Sequence, residues 1–412
     1  MEINIVPVLR FTEFNENWNP DKLGSIASFS KGKGISKSDI DENGATECIR
    51  YGELYTEYSE VITEVVSKTN LDTENLILSE VNDVIIPASG ETQIDIATAS
   101  CVLKADVALS GDLNIIKTEV NGVFLSYYLN NAKKIRIARL AQGISVVHLY
   151  ASQLASLNVN IPSPEEQIKI ATFIMAIDKR IKILEKKKTD LEQYKKGVMQ
   201  KIFSQEIRFK KEDGTDFPNW EEKKLGILGK TFNGLTGKTK VDFGEGKHYI
   251  QYMQIFSDSK IDTTQFGLVK IEDGENQSRA QLGDVFFTTS SETPNEIGTA
   301  SVLTEPVDEV YLNSFCFGFR PNSLDELVPE FSQFFFRSEN VRRKIIPLAQ
   351  GSTRFNMSKI ELMKLKFDVP KKEEQQKIAS FLVSIDRAIQ TLVDQIEESN
   401  LFKQGLLQKM FV

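Results

Sequence analysis

Ile161-Pro-Ser-Pro-Glu-Glu-Gln-Ile-Lys-Ile-Ala-Thr-Phe173 and, 208 residues further on, Val369-Pro-Lys-Lys-Glu-Glu-Gln-Gln-Lys-Ile-Ala-Ser-Phe381 are one phrase written twice. The match runs without a gap over residues 141 to 204 and 349 to 412, with 22 identities in 64 pairs. Unrelated sequence of this composition gives roughly four or five. Upstream the repeat thins but persists. Trp18-x-x-x-Lys22-Leu23-Gly24 answers Trp220-x-x-x-Lys224-Leu225-Gly226, Ile49-Arg50-Tyr51 answers Ile250-Gln251-Tyr252, and Asp83-Val84 answers Asp284-Val285. Short insertions shift the offset between copies, as surface loops of differing length do. The chain therefore reads as a shared scaffold with diverging contents, and its function should have approximate two-fold character.

After Pro162, Ser163 suits an N-cap, Pro164 the first helical position, and Glu166 completes a capping box. Ile170, Phe173, Ile177, Ile181, Leu184, Leu191 and Tyr194 then recur at three- and four-residue steps. Ile378, Phe381, Ile385, Ile389, Leu392 and Ile396 do the same in the second copy. Helices of 35 to 40 residues span roughly 50 to 60 Å, too long to lie on one small domain. The spacing predicts that the two seams pack on each other, antiparallel, because a whole domain separates the end of one helix from the start of the next.

With 412 residues the chain is long enough for two domains of about 150 residues plus the helical segments. Cys48, Cys101 and Cys316 have no regular spacing, and His148 and His248 are the only histidines, so neither a disulfide framework nor a metal set is expected. No basic, apolar leader opens the sequence and no run of about 18 apolar residues occurs, so a reducing, cytoplasmic setting and no membrane partner are expected. Net charge is −8, distributed as −8 over residues 1 to 160, +4 over 161 to 204, −4 over 205 to 368 and zero over 369 to 412. Lys31, Lys33 and Lys37, then Lys133, Lys134, Arg136 and Arg139, and in the second half Arg342, Arg343 and Lys344, could make a basic face on an acidic body, or simply a solvated surface.

The globular segments mix short apolar runs (Asp83-Val-Ile-Ile-Pro87, Asp284-Val-Phe-Phe-Thr-Thr289, Ser314-Phe-Cys-Phe-Gly-Phe319) with one helical patch each, starting at Gly122 and Pro329. This predicts α+β domains. The phenylalanines after Pro329 read as core rather than as a base-stacking platform. Gly237-Lys238-Thr239 invites a phosphate-loop reading, but the glycine required five residues before Gly237 is Phe232. Dinucleotide, zinc-protease, nucleophile-elbow and amino-methyltransferase motifs are absent, so the sequence offers no catalytic residues.

Polar loops at matched places remain as candidates for nucleic-acid contact. The first holds Lys31, Lys33, Ser36 and Lys37 against Asn233, Thr236, Lys238, Thr239 and Lys240, with glycines that let a phosphate approach. The second sets Arg50, Tyr51 and Glu53 against Gln251, Tyr252 and Gln254. The third sets Ser89 and Thr92 against Ser290 and Thr293. The fourth sets Gln142, Ser145 and His148 against Gln350, Ser352, Thr353, Arg354 and Asn356. Arg, Gln, Asn and Glu read base edges in the major groove, and their divergence between halves is what two different half-sites need. Gly, Ser, Lys and Asn also make ordinary turns.

The arrangement resembles the specificity (S) subunit of Type I restriction-modification systems over the whole chain. The resemblance is carried by a variable domain, a helix opening Pro-x-x-Glu-Glu-Gln-x-x-Ile-Ala-x-Phe, a second variable domain and a second such helix. The lead-in Leu348-Ala-Gln-Gly-Ser-Thr-Arg354 and the ending Gly405-Leu-Leu-Gln-Lys-Met410 look like that family's too. The first half departs from the lead-in, with Ile144 and Val146 where the second has Ser352 and Arg354. The resemblance implies target-recognition domains at 1–160 and 206–368 and conserved helical regions at 161–205 and 369–412. It also implies no catalytic activity, and recognition of a bipartite double-stranded DNA target. The partners it implies are two methyltransferase (modification) subunits and the restriction subunits, on which S-adenosylmethionine, ATP and Mg would act; no cofactor is expected here. Ile170, Phe173, Ile177, Ile181, Leu184, Ile378, Phe381, Ile385, Ile389 and Leu392 are the candidates for helix pairing and partner binding, so aspartate at Ile177 and Ile385 is expected to abolish binding of the modification subunit. A two-headed coiled-coil scaffold binding proteins rather than DNA is the alternative.

Overall fold

A computed structural model describes residues 6–144 and 146–412; Ser145 lies outside the described residues. Four helices organise the chain: α1 (Gly122–Tyr128), α2 (Pro164–Phe203), α3 (Pro329–Phe335) and α4 (Lys372–Met410). The 40-residue α2 and the 39-residue α4 open inside the repeated phrase. The chain forms two compact units, Met1–Glu185 with Asp394–Val412, and Lys186–Val393. Each unit takes in the start of one long helix and the end of the other, the sense of an antiparallel pair.

In the first unit a five-stranded sheet has the order Ala27–Lys31, Leu113–Thr118, Asp83–Pro87, Ser100–Val102, Val61–Ile62, antiparallel except for the last pair. The run at 83–87 lacks polar alternation because both faces of the strand are covered. Val84 and Ile86 enter one core with Trp18, Ile116, Phe124 and Tyr128; Ile85 enters another with Ile49, Leu109, Leu113 and Ile115. Into the larger core the start of α2 sends Ile170, Ala171 and Ile174, and the end of α4 sends Leu406, Leu407 and Met410, followed by Phe411. The Phe411 ring lies 5.7 Å from Phe124 and 6.0 Å from Tyr128. Lys403 pairs with Asp178 at 2.7 Å, and Tyr127 donates its hydroxyl to the same carboxylate.

The second unit repeats the plan. Strands Gly229–Asn233, Cys316–Pro321, Val285–Thr288 and Ala300–Val302 form an antiparallel sheet in that order. Val285 and Phe287 face a core with Phe319, Phe331 and Phe336, whereas Phe286 faces Ile250, Ile255 and Leu312. Phe331, Phe334, Phe335 and Phe336 are all buried, so the aromatic patch at α3 is core. The end of α2 contributes Ile202 and Phe203, the start of α4 contributes Ile378, Ala379, Leu382 and Ile385, and Lys195 pairs with Asp386.

The seams differ from the sequence reading in one respect. Ile174 and Leu382, outside the expected stripe, are fully buried, while Ile177 is half-buried and Tyr194 is 54% exposed. The first turns of each helix meet a domain core as well as the other helix, so the buried stripe there is wider than a two-helix seam.

The suggested basic groups also shrink. Lys133 is buried over the Tyr128 ring at 5.0 Å, and desolvation, with Arg136 adding to it, pushes its ammonium down to about 8. Arg342 donates to the carbonyls of Gly298, Asn295 and Ile297. Below about pH 8 Lys133 is charged in both folded and unfolded chains and its desolvation cost is complete; between there and the ordinary 10.5 the unfolded chain binds more protons, so stability climbs with pH. Lys133→Met is therefore expected to stabilise the protein by about 1–2 kcal/mol at pH 7. The gain should fade as pH approaches 10.5, measured by urea unfolding at several pH values.

Candidate nucleic-acid interface

The repeated Glu-Glu-Gln seats each long helix on its domain. In the first unit the buried Glu166 accepts from Arg10 Nε and Nη2 at 2.8 and 2.7 Å and from Trp18 Nε1 at 3.3 Å. In the second, Glu374 accepts from Arg208 at 3.1 and 2.7 Å and from Trp220 Nε1 at 3.1 Å. The adjacent glutamine works in both directions. Gln167 donates to the Pro162 carbonyl and accepts from Asn121 N; Gln375 donates to the Pro370 carbonyl and accepts from Val328 N. Glu166 thus leaves the expected capping box half-formed: its backbone N–H donates to Ser163 Oγ at 3.4 Å, but its carboxylate serves the arginine and the indole. The tryptophan phrase and the helix opening, repeated 202 and 208 residues apart, are two ends of one contact.

With the helices fixed, the polar loops can be placed. In the first loop Lys31, Lys33 and Lys37 are exposed. Ser36 caps the short turn Lys37–Asp39 and bonds Asp39, just as Thr239 caps Lys240–Asp242 and bonds Asp242. Lys238 is largely buried and paired with Glu275 at 2.6 Å, Thr236 N–H is held by Gln277, and Asn233 accepts from Lys359. Lys240 alone of that group's lysines stays exposed. In the second loop Glu53 is buried, accepting from Arg50 at 2.8 Å and Ser67 at 2.7 Å, so this carboxylate braces the loop instead of reading a base. Tyr51 packs on the smaller core, Gln254 bonds loop carbonyls, and Gln251 remains exposed.

The third and fourth loops meet in both units. Val147–His148 pairs with Ser89–Gly90, and Phe355–Met357 pairs with Ser290–Ser291. Ser89 and Ser290 are buried by this pairing, while Thr92 caps the following turn through Asp95 and Thr293 precedes the turn Pro294–Glu296 without a side-chain bond to it. Gly143 and Gly351 have the same φ of +131°, and a Cβ there would meet the carbonyl oxygen of Val146 at 2.0 Å or of Arg354 at 2.2 Å. Glycine is required in both copies. Gln142, His148, Gln350, Ser352, Thr353, Arg354 and Asn356 are exposed on these loops. In the second unit Tyr252 donates its hydroxyl to the Ser290 carbonyl, so the second loop joins them around a cleft of about 420 Å³ lined by Tyr252, Phe256, Glu292, Phe315 and Arg354. Phe315 had no signal in the sequence, because it sits in a run that reads as a buried strand yet is 56% exposed, whereas Glu292 falls within the third loop, between Ser290 and Thr293.

A family model described as the Type I restriction modification DNA specificity domain matches residues 15–193 and again 218–399. The chain is 24% identical over 402 residues to the Type I restriction enzyme MjaVIII specificity subunit of Methanocaldococcus jannaschii, covering 91% of this chain and 87% of that protein. It is 30% identical over 216 residues to a protein of the same organism named as the MjaX specificity subunit, spanning 51% of this chain and about half, 49%, of that relative. Among solved structures, the S subunit of a Type-I restriction-modification system from M. genitalium matches over 99% of both chains, with a TM-score of 0.60 at 16% identity, a likeness of fold.

Proposed function

The chain belongs to the Type I restriction-modification DNA specificity family, with the family's domain present twice, and from that premise we propose that it reads a bipartite double-stranded DNA target, one half-site per globular domain. Its part in such a system is specificity, not catalysis. The observation that carries the reading is the paired loop frame: the same glycine turn laid on the same serine strand in both units, presenting different exposed side chains. A constant frame with variable tips is the arrangement that base-edge readout at two unlike half-sites requires.

The modification subunits would engage the exposed faces of α2 and α4, restriction subunits would join them, and S-adenosylmethionine, ATP and Mg would be bound by those partners. Partners that contribute basic surface also reconcile the net charge of −8 with a polyanionic ligand. Among the described residues no helix is long and apolar enough to cross a membrane, which is compatible with work on cytoplasmic DNA.

Methylome sequencing of a host carrying this chain with its modification subunit, against a host lacking this chain alone, tests the proposal. A bipartite adenine-methylation motif that vanishes with the chain is the expected result. No change, in a complex shown to assemble, would leave a protein-binding scaffold as the better account.

A further inference from the structure

We propose that Arg354 is the guanine-reading residue of the second half-site, a step that rests on the DNA-reading function above. Residues 205–368 contain seven arginines, and among the described residues six are committed elsewhere. Arg208, Arg279, Arg320 and Arg343 pair with carboxylates, and Arg337 and Arg342 donate to backbone carbonyls. Arg354 has no ion pair among the described residues. Its Nε donates to Ser290 Oγ at 2.7 Å and its guanidinium carbon lies 5.8 Å from the centre of the Phe315 ring. One edge of the guanidinium is thus held while the side chain as a whole is exposed.

A planar donor fork held in this way suits the paired acceptors O6 and N7 that only guanine presents in the major groove. Glu292, exposed on the same cleft, is an acceptor of the kind that suits the amino group of the paired cytosine. The first unit presents something different on the same frame. Val146, at the position matching Arg354, is 53% exposed and Ile144 is 99% exposed, and neither offers a donor. Apolar tips of this sort suit a thymine methyl group, so a guanidinium contact to guanine from this position belongs to the second half-site alone.

The test uses the assembled complex with its modification subunits and duplexes carrying the motif that the methylome defines. Each guanine of the second half-site is replaced singly by 7-deazaguanine, which lacks the N7 acceptor. For the wild-type complex, one such replacement is expected to weaken binding roughly fivefold or more. Arg354→Gln should bind the parent duplex more weakly and show no further loss at that one guanine, while discrimination at the first half-site is unchanged. Arg354→Lys, which keeps the charge without the fork, should likewise lose discrimination there. If no guanine is sensitive, or if Arg354→Gln weakens all duplexes equally and lowers the salt slope by about one, the residue contacts phosphate and the inference is overturned. A wild-type complex with no sequence preference at all would instead overturn the DNA-reading function itself.

Discussion

Glu166→Ala is expected to lower the unfolding free energy by roughly 3 kcal/mol or more, because it leaves a largely buried guanidinium and a buried indole N–H without an acceptor. Glu166 is 1% exposed and the Arg10 side chain 13%. The same change at Glu374 should cost less, since Arg208 is 24% exposed and also donates to the Pro218 carbonyl at 2.6 Å. Urea unfolding followed by the fluorescence of Trp18, with Trp220 replaced by phenylalanine, measures the first unit. A change below about 1 kcal/mol would mean that water replaces the carboxylate at little cost, and that the repeated glutamate has some other use.

Ile385→Asp should be as damaging, by about 3–4 kcal/mol, since Ile385 is 6% exposed in the phenylalanine core and nothing there compensates a carboxylate. This changes what the residue can report. Loss of modification-subunit binding in an Ile177, Ile385 double aspartate variant would follow from unfolding, whatever the partner touches. Ile170, Ile181, Leu184 and Ile378 are equally inaccessible. The apolar side chains on α2 and α4 that a partner can reach are Ile168, Ile183, Tyr194, Leu401 and Phe402, each at least 46% exposed. Tyr194→Asp should change the unfolding free energy by no more than about 0.5 kcal/mol, read from the urea midpoint. A large shift would show that the residue is not on a free face.

The repeat made the architecture legible. Two copies of one phrase predict two copies of one sheet order, and the long apolar periodicity predicts the helices. Periodicity alone does not separate the part of each helix that meets a domain from the part that meets its fellow, so it passes over Ile174 and Leu382 and includes Tyr194 in the stripe. The loop candidates were legible as positions but not as roles. Glu53, Lys238 and Ser290 are polar residues at the expected places, yet each is used up inside the protein by a partner remote in sequence: Ser67, Glu275 and Arg354. Turn chemistry and base-reading chemistry draw on the same residue types, and only the hydrogen-bond partners tell them apart.

The division of the long helices between the two units has a consequence for synthesis. The second unit, Lys186–Val393, is continuous in sequence, and all of its core is available once residue 393 has left the ribosome. The first unit is not. Its sheet and α1 are translated early, but Leu406, Leu407, Met410 and Phe411, which fill the core beside Phe124 and Tyr128, are made hundreds of residues later. The domain that begins translation is thus completed after its successor, and until then it exposes the aromatic surface that those residues cover. A released fragment ending at residue 393 would carry the whole second unit and an unfinished first one, a natural substrate for holding chaperones.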